Sequence, residues 1–264
     1  MFHGVVRTIL VVSLLVLPRL AIAQEPAEQP LQELFLTETV YPQEKGEVQL
    51  TFAARIDRTR KDQSMLIPFA IEYGLTNRWQ LEAGWDGYSR FHSDPFADLR
   101  TSRLSVGTKY SVMDIAHSGV HVAFGIDVEF PRPGVFGQGE GEGGTEIEPF
   151  VALAADLRGH VTVFGAATAS FEPRAVADLV QHGQHPDDPG ALGVGVLKAF
   201  RHVTIAAEYS SRTDSLPWRL DGAALLTPSV VAHLHSQWEI GAGVPIGLRG
   251  RHQPGIAINL VKEF

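Results

Sequence analysis

The sequence predicts an all-β protein, an antiparallel transmembrane β-barrel of twelve strands with short turns at one end and longer loops at the other. Three observations predict this fold: segments of about ten to thirteen residues alternate apolar and polar side chains, short and long connections alternate between them, and the chain begins with an export-type leader. The predicted strands are 46–58, 64–75, 78–90, 102–113, 119–130, 146–157, 160–171, 191–200, 202–212, 223–234, 237–248 and 255–264.

Residues 1–23 are predicted to be a cleaved signal peptide. Arg7 precedes the apolar run TILVVSLLVL, and Ala21 and Ala23 form a small-x-small cleavage site before Gln24. The run has about ten residues, too few to cross a bilayer as a helix. Cleavage removes two arginines and no acid, so the formal charge changes from −8 to −10.

The composition limits what the exported chain is. It contains no cysteine, so disulfides do not stabilise it, and its acidic balance excludes a nucleic-acid binder. No later stretch approaches about 18 consecutive apolar residues, which argues against a transmembrane helix. Residues 24–45, rich in Pro, Gln and Glu, are predicted to be a periplasmic N-terminal tail, and a loose leader is favoured over a plug folded into the barrel. The barrel domain is 46–264.

The alternation assigns each strand its two faces. In the segment 64–75, Phe69, Ile71 and Tyr73 fall on one side and Glu72 on the other. A period of two describes a strand with lipid on one face and the lumen on the other. Aromatic residues near strand ends on the lipid side predict interfacial belts. They are Trp79, Tyr110, Phe130, Tyr209 and Trp238.

The connections between predicted strands fall into two length classes. The odd-numbered connections have 5, 11, 15, 19, 10 and 6 residues, and the even-numbered ones have 2, 5, 2, 1 and 2. Bacterial outer-membrane barrels have short periplasmic turns, longer extracellular loops and both termini in the periplasm. The pattern therefore predicts the outer membrane of a Gram-negative bacterium, and a soluble periplasmic β protein is disfavoured.

The last strand carries a predicted membrane-targeting signal. Phe264 follows Ile256, Ile258 and Leu260 at alternate positions, like the terminal strand of outer-membrane proteins, although Lys262 stands where an apolar residue is usual. The predicted partners are therefore outer-membrane lipid and the assembly machinery that recognises such strands.

Five residues do not fit regular lipid-facing strands. Pro68, Pro149, Pro228 and Pro245 lie inside predicted strands, and each lacks a backbone N–H. We expect them at bulges or rims. Lys198 falls on the lipid-facing side, which is tolerable near the periplasmic end, where its ammonium reaches the interface.

Several stretches resemble a known family. They are TETVYPQEKGEVQL (37–50), IPFAIEYGLTNRWQL (67–81), LLTPS (225–229) and WEIGAGVPIGL (238–248). Together they resemble the outer-membrane barrels assigned as transporters of the MetA pathway of phenol degradation, over nearly the whole exported chain. The resemblance implies an outer-membrane channel with a role in moving small organic compounds, and it carries no catalytic motif.

Ionisable residues collect on the predicted lumen side of the strands. They are the acids Glu72, Glu82, Asp127, Glu129, Glu148, Glu208 and Glu239 and the bases Arg55, Arg103 and Lys109. One interpretation is a cation-leaning pore or a polar site for a small-molecule solute. The alternative is an interior filled with hydrogen bonds and ion pairs, which small and medium barrels need in any case.

Two other kinds of residue group contain the side chains that metal binding or catalysis requires. His182, His185, Asp187 and Asp188 are crowded, but the Gly and Pro around them indicate an exposed loop, so no metal or other cofactor is predicted. In each of the pairs His92-Ser93, His117-Ser118 and His235-Ser236, a strand would point the two side chains to opposite faces, and GxSxG is absent. No enzymatic activity is predicted.

The sequence thus predicts a channel that passes small organic molecules, aromatic or hydrophobic ones among them, across the outer membrane. The alternative is a structural or adhesive barrel that transports nothing. A continuous pore would favour the first function and a packed, closed lumen the second.

Deleting Phe264 is expected to leave export intact and to lower the amount of inserted barrel, because the terminal strand loses its aromatic anchor. Membrane fractionation with immunoblotting measures this, and Phe264→Tyr, which keeps an aromatic ring, is the control. Equal outer-membrane levels of the deletion variant and the parent would contradict the targeting role.

Overall fold

The computed structural model describes residues 34–59, 63–91, 101–133, 145–171, 190–213, 224–235, 237–249 and 252–264. These residues form thirteen antiparallel strands. The strands are β1 (Val48–Thr59), β2 (Gln63–Thr76), β3 (Trp79–Phe91), β4 (Thr101–Val112), β5 (Val120–Pro133), β6 (Glu146–Leu157), β7 (Val161–Ala169), β8 (Gly190–Ala199), β9 (Val203–Thr213), β10 (Ala224–Leu234), β11 (Trp238–Gly243), β12 (Ile246–Arg249) and β13 (His252–Glu263).

The strands close into a barrel. Each strand pairs with its neighbour in sequence from β1 to β10, and the last strand, β13, pairs with β1 from Gln49–Glu263 to Thr59–His252. β11 and β12 are two pieces of one predicted strand and both pair with β10. The predicted twelve-stranded antiparallel barrel is therefore confirmed, and predicted and observed strand limits differ by no more than 3 residues apart from the break in 237–248.

Prolines lie where the hydrogen-bonded ladders are interrupted, as expected. The β1–β2 register skips from Phe52–Phe69 to Arg55–Leu66 opposite Pro68, and the β6–β7 ladder stops at Phe150, next to Pro149. Pro245 separates β11 from β12, and it does so opposite Pro228 of β10. Because proline has no N–H to donate, these breaks leave no donor unpaired at the proline.

The two ends of the barrel differ. The connections 77–78, 113–119, 158–160, 200–202 and 235–237 meet at the end where β1 starts and β13 ends, which we call the turn end. Gly159 and His160 have φ of 78° and 58°, which a tight hairpin requires. The longer connections meet at the opposite, loop end. A one-turn 3-10 helix, Ile115–His117, lies in the second turn, and no helix of the described residues is long and apolar enough to cross a membrane.

The outward faces are apolar and exposed, as the lipid side of a barrel must be. Among them are Phe52, Ile71, Leu81, Val106, Phe124, Ile126, Leu153, Val196, Ile205, Val230, Ile240 and Ile258. At the turn end, Lys198 lies 5.3 Å from the centroid of the Phe200 ring, as expected for a lysine that reaches the interface. Lys262 lies over the rings of both Trp238 and Phe264, which explains a cation in the terminal strand.

Two lumen-facing rings lie against glycines of neighbouring strands. A Cβ atom on Gly125 would come within 2.1 Å of the Phe150 ring, and one on Gly195 within 2.4 Å of the Phe164 ring. Each glycine is the direct partner of its phenylalanine in the ladder. The rings therefore lie flat along the wall and leave the centre of the lumen free for other groups.

Ile126 and Asp127 are adjacent on β5 and face lipid and lumen respectively. Ile126→Arg is expected to lower the free energy of unfolding by about 2 to 4 kcal/mol, because the charge enters hydrocarbon. Asp127→Arg is expected to cost less, because its side chain points toward Glu148 across the ladder. Urea unfolding in lipid vesicles, followed by tryptophan fluorescence, compares the two. A larger loss for Asp127→Arg would place the β5 register one residue off.

Candidate functional site: the barrel lumen

Residues 34–45, which we call the inner segment, lie inside the barrel. The segment enters at the turn end, where Gly46 N–H donates to the Gly74 carbonyl at 2.8 Å and Lys45 N–H donates to Asn77 Oδ1 at 3.1 Å. Val40 is only 2% exposed. The sequence favoured a loose tail for 24–45, and the structure differs from this for 34–45. The rest of that range and the signal peptide lie outside the described residues.

Amide and carboxylate groups hold Gln43 of the inner segment at the turn end. Gln43 N–H donates to Gln80 Oε1 at 3.0 Å, and its Nε2 donates to Gln49 Oε1 at 2.6 Å and to Glu72 Oε2 at 3.3 Å. Gln49 Nε2 and Gln80 Nε2 also donate to Glu72. Glu72 is therefore a buried acceptor for three amide side chains and does not line an open pore.

A second polar group of the inner segment lies beside β5–β7. The Tyr41 hydroxyl donates to Asp156 Oδ1 at 3.3 Å, and the Thr162 hydroxyl donates to the same oxygen at 2.7 Å. His121 Nε2 is 2.9 Å from Asp156 Oδ2, while Asp114 N–H donates to His121 Nδ1 at 2.9 Å. Since Nδ1 accepts, we assign the imidazole proton to Nε2, which donates to Asp156.

Apolar side chains complete this contact. Leu34, Val40 and Tyr41 of the inner segment belong to one buried cluster with side chains of the wall. The wall residues in it include Ala123, Ala152, Ala154, Phe164, Ala166, Leu197, Ala206 and Val231. The small alanines leave the width that a peptide backbone needs inside the barrel.

The far part of the inner segment binds β8 and β9. The N–H groups of Phe35 and Leu36 both donate to the Glu208 carboxylate, each at 3.0 Å. Glu208 is completely buried. Thr37 packs on Gly193, where a Cβ atom would come within 2.5 Å of its hydroxyl oxygen. A single wall carboxylate thus binds two consecutive backbone amides.

The loop-end half of the lumen is open by comparison. Arg103 Nη1 lies 2.6 Å from Glu129 Oε2 and 2.7 Å from Glu146 Oε2, and its side chain is 43% exposed. Half-buried ionisable side chains surround these two ion pairs, and we call the whole group the vestibule. It comprises Arg55, Asp86, Arg103, Asp127, Glu129, Glu146 and Glu148. Five acids against two bases give it a formal excess of negative charge.

All ten lumen residues predicted from sequence face inward, but they fall into two groups. Arg55, Arg103, Asp127, Glu129 and Glu148 line the vestibule. Glu72, Lys109, Glu208 and Glu239 are buried at or below the inner segment, and Glu82 lies beside Glu72 as its direct ladder partner. Lys109 Nζ is 3.5 Å from Thr39 Oγ1, and Glu239 Oε1 is 2.7 Å from His233 Nδ1. Their role in selectivity stays a prediction. Phe264 pairs with Val48 and exposes its ring outward.

Sequence reasoning missed part of the site. Asp86 and Glu146 stand on the inward side of predicted strands, so parity would have found both. Gln49 and Gln80 show the same signal, because amides at inward positions near the turn end need partners when they are buried. The inner segment has no alternation of apolar and polar residues that would assign it to the lumen.

The residues considered for catalysis and metal binding either make hydrogen bonds within their own turn or lie outside the described residues. Of the three His-Ser pairs, only His117-Ser118 is wholly described, and the Ser118 hydroxyl donates to the Ile115 carbonyl at 2.6 Å. His117 Nδ1 is 3.2 Å from Asp114, and the Gly119 N–H bond lowers the pKa of the Asp114 carboxyl. No cluster of three metal-binding side chains occurs among the described residues, which exclude 182–188.

Comparison with solved structures shows what the barrel is similar to. The KdgM porin superposes with a TM-score of 0.58 at 10% identity, covering 82% of this chain and 99% of the porin. The COG4313 outer membrane channel from Pseudomonas putida F1 gives 0.54 at 10% identity, covering 85% and 98%. The NanC porin gives 0.52 at 11% identity, covering 80% and 97%. The chain has the fold of an outer-membrane porin. No family model and no curated protein matches the sequence.

The position of the inner segment is testable by cross-linking, because the natural chain has no cysteine. A Cβ atom on Gly193 would lie 3.1 Å from Thr37 Cβ, near the separation of about 3.5 to 4.5 Å found in disulfides. Oxidised Thr37→Cys/Gly193→Cys protein is expected to form an intramolecular disulfide, detected by mass spectrometry. Thr37→Cys/Gly165→Cys is the control, because Gly165 lies beside Gly193 in the sheet but faces lipid. Equal cross-linking in both variants would contradict the inner position.

Proposed function

We propose that the protein is an outer-membrane channel for small organic molecules, in which the vestibule collects the solute and the inner segment occupies the path toward the turn end. The supporting observation is the vestibule: seven ionisable side chains stay half-buried in one half of a closed barrel. A barrel that served only as a scaffold would have no need for so many partly exposed charged groups in its lumen. The porin fold agrees with a channel role.

The finer features of this proposal come from the sequence. A cleaved leader at 1–23 and the terminal Phe264 support export and delivery by the assembly machinery to the outer membrane of a Gram-negative bacterium. The resemblance to barrels of the MetA pathway of phenol degradation supports small organic solutes, aromatic or hydrophobic ones among them. The turn end then faces the periplasm.

A structural or adhesive barrel is the second candidate function, and one observation favours it. The inner segment fills the turn-end half of the lumen with buried hydrogen bonds, as in a barrel that is permanently closed. Conductance separates the two functions, since a permanently closed barrel passes no ions.

Purified protein in a planar bilayer is expected to conduct, with monovalent cations preferred over anions at low salt. The excess of vestibule acids produces this preference, which shrinks as the Debye length falls to about 8 Å near physiological ionic strength. Reversal potentials measure it. Asp127→Asn/Glu148→Gln is expected to weaken the preference, while Glu44→Gln/Glu47→Gln, which removes the same charge at the rim of the turn end, is the control. Absence of conductance would refute the channel, and anion preference would remove the acids from its mechanism.

A further inference from the structure

Glu208 is a buried carboxylate whose ligand is exchangeable. It is completely buried in the wall, and the donors that bond it in the described structure, the N–H groups of Phe35 and Leu36 together with Thr37, belong to the inner segment. A buried carboxylate needs hydrogen-bond donors or a cation. If the inner segment withdraws, another donor must therefore take its place.

A recess in the wall holds the Phe35 ring beside Glu208. Gly241 and Gly243 form its floor, where added Cβ atoms would lie 2.9 and 3.6 Å from the ring. Its sides are Thr227 and Ser229, whose Cγ2 and Cβ atoms lie 3.1 and 3.3 Å from a Cβ atom added to Gly243, and Asn259, whose Oδ1 faces Gly241. Thr227 is the direct ladder partner of Glu208, so carboxylate and recess form one continuous surface on β9–β13.

The polar sides of this recess are not satisfied by its present occupant. Thr227 Oγ1, Ser229 Oγ and Asn259 Oδ1 are buried, and none has a hydrogen-bond partner. A phenyl ring offers them nothing, and buried polar atoms are normally paired. A ring that carries hydroxyl or amine groups would complement the recess better than Phe35 does.

The chemical groups of Phe35 that occupy Glu208 and the recess indicate which ligand could replace them. Phe35 presents an N–H to Glu208 and a phenyl ring to the recess, joined through two carbon atoms. This is the skeleton of an arylethylamine. We propose that Glu208 and the Phe35 recess form a binding site for arylethylammonium cations, with ring hydroxyls meeting Thr227, Ser229 and Asn259. This rests on the proposed channel function and names a solute class for it.

The charge of the lumen supports the same class of solute, and competition with the inner segment sets the apparent affinity. The vestibule, in the same lumen, carries five acids against two bases, and this formal excess of negative charge concentrates cations. The solute and the inner segment compete for the same atoms, so binding shifts the segment out of the lumen. The apparent affinity is reduced by the fraction of molecules in which the segment is in place.

Binding of 2-phenylethylamine to the full chain in detergent, measured by calorimetry, tests the site. Tyramine is expected to bind more tightly than 2-phenylethylamine, since its hydroxyl meets the unpaired oxygens. Neither 3-phenylpropionate, with the opposite charge, nor butylamine, without a ring, is expected to bind measurably.

Glu208→Gln is expected to weaken binding about tenfold, as the loss of a charged hydrogen bond does. Phe35→Ala is expected to tighten it, because the ring that competes for the recess is gone while the backbone N–H at position 35 remains. Glu239→Gln, which alters a buried acid bonded to His233, is the control.

The disulfide-locked Thr37→Cys/Gly193→Cys protein supplies a comparison within one molecule. Binding is expected to be absent in the oxidised form and restored by reduction. Both forms are expected to show the heat-dependent gel mobility of a folded barrel. Equal binding in the two forms, equal binding of 3-phenylpropionate, or weaker binding by Phe35→Ala would overturn the site. Loss of amine binding in a parent that still conducts would refute the site alone, whereas absence of conductance refutes the channel.

Discussion

The ladder between β1 and β13 is the constraint on which the rest of the structure depends. A bilayer offers no water to bond exposed N–H and C=O groups, so a spanning sheet must have no edge. Because the number of membrane-crossing strands is even, the first strand starts and the last strand ends at the same mouth of the barrel. The residues before β1 therefore begin at the entrance of the lumen, and Gly46 N–H bonds Gly74 at that rim. Closure thus puts the inner segment within reach of the interior.

The inner segment meets two different walls. Beside β1–β3, Gln43 joins a network in which Gln49, Glu72 and Gln80 bond one another and the segment. Beside β10–β13, the Phe35 ring covers polar atoms that have no partner. The turn-end network centres on the Glu72 carboxylate, although Gln43 Oε1 has no partner among the described residues. Charge-assisted hydrogen bonds thus fix the turn-end part of the segment, whereas the Phe35 ring offers the polar atoms of its wall neither donor nor acceptor.

The acids of the lumen have different roles according to their position along the barrel axis. Glu72 and Glu208 are acids at inward positions like Asp127 and Glu148, yet the first two bond the inner segment while the other two remain half-buried in the vestibule. The porin-like fold leaves room for both uses, since a wall of small residues accepts a peptide and a wall of charged ones remains hydrated.

The sequence by itself determined the strands and their faces. The period of two along β2 and β5 placed Glu72 and Asp127 inward, because side chains of a strand alternate whatever lies elsewhere. It also placed the prolines at ladder breaks, although it did not show that Pro228 and Pro245 break the sheet at the same point and divide one strand into β11 and β12. Both effects are local properties of the backbone.

Only the tertiary structure decided what fills the lumen. Glu208 bonds Phe35 across 173 positions of sequence, and Tyr41 bonds Asp156 across 115. The inner segment has no periodic pattern of its own, so its location follows from contacts with distant strands. Glu146 likewise became part of the site when the pairing of β4, β5 and β6 brought it to Arg103. Such contacts depend on which strands face each other across the barrel, and a local pattern in the sequence does not contain that information.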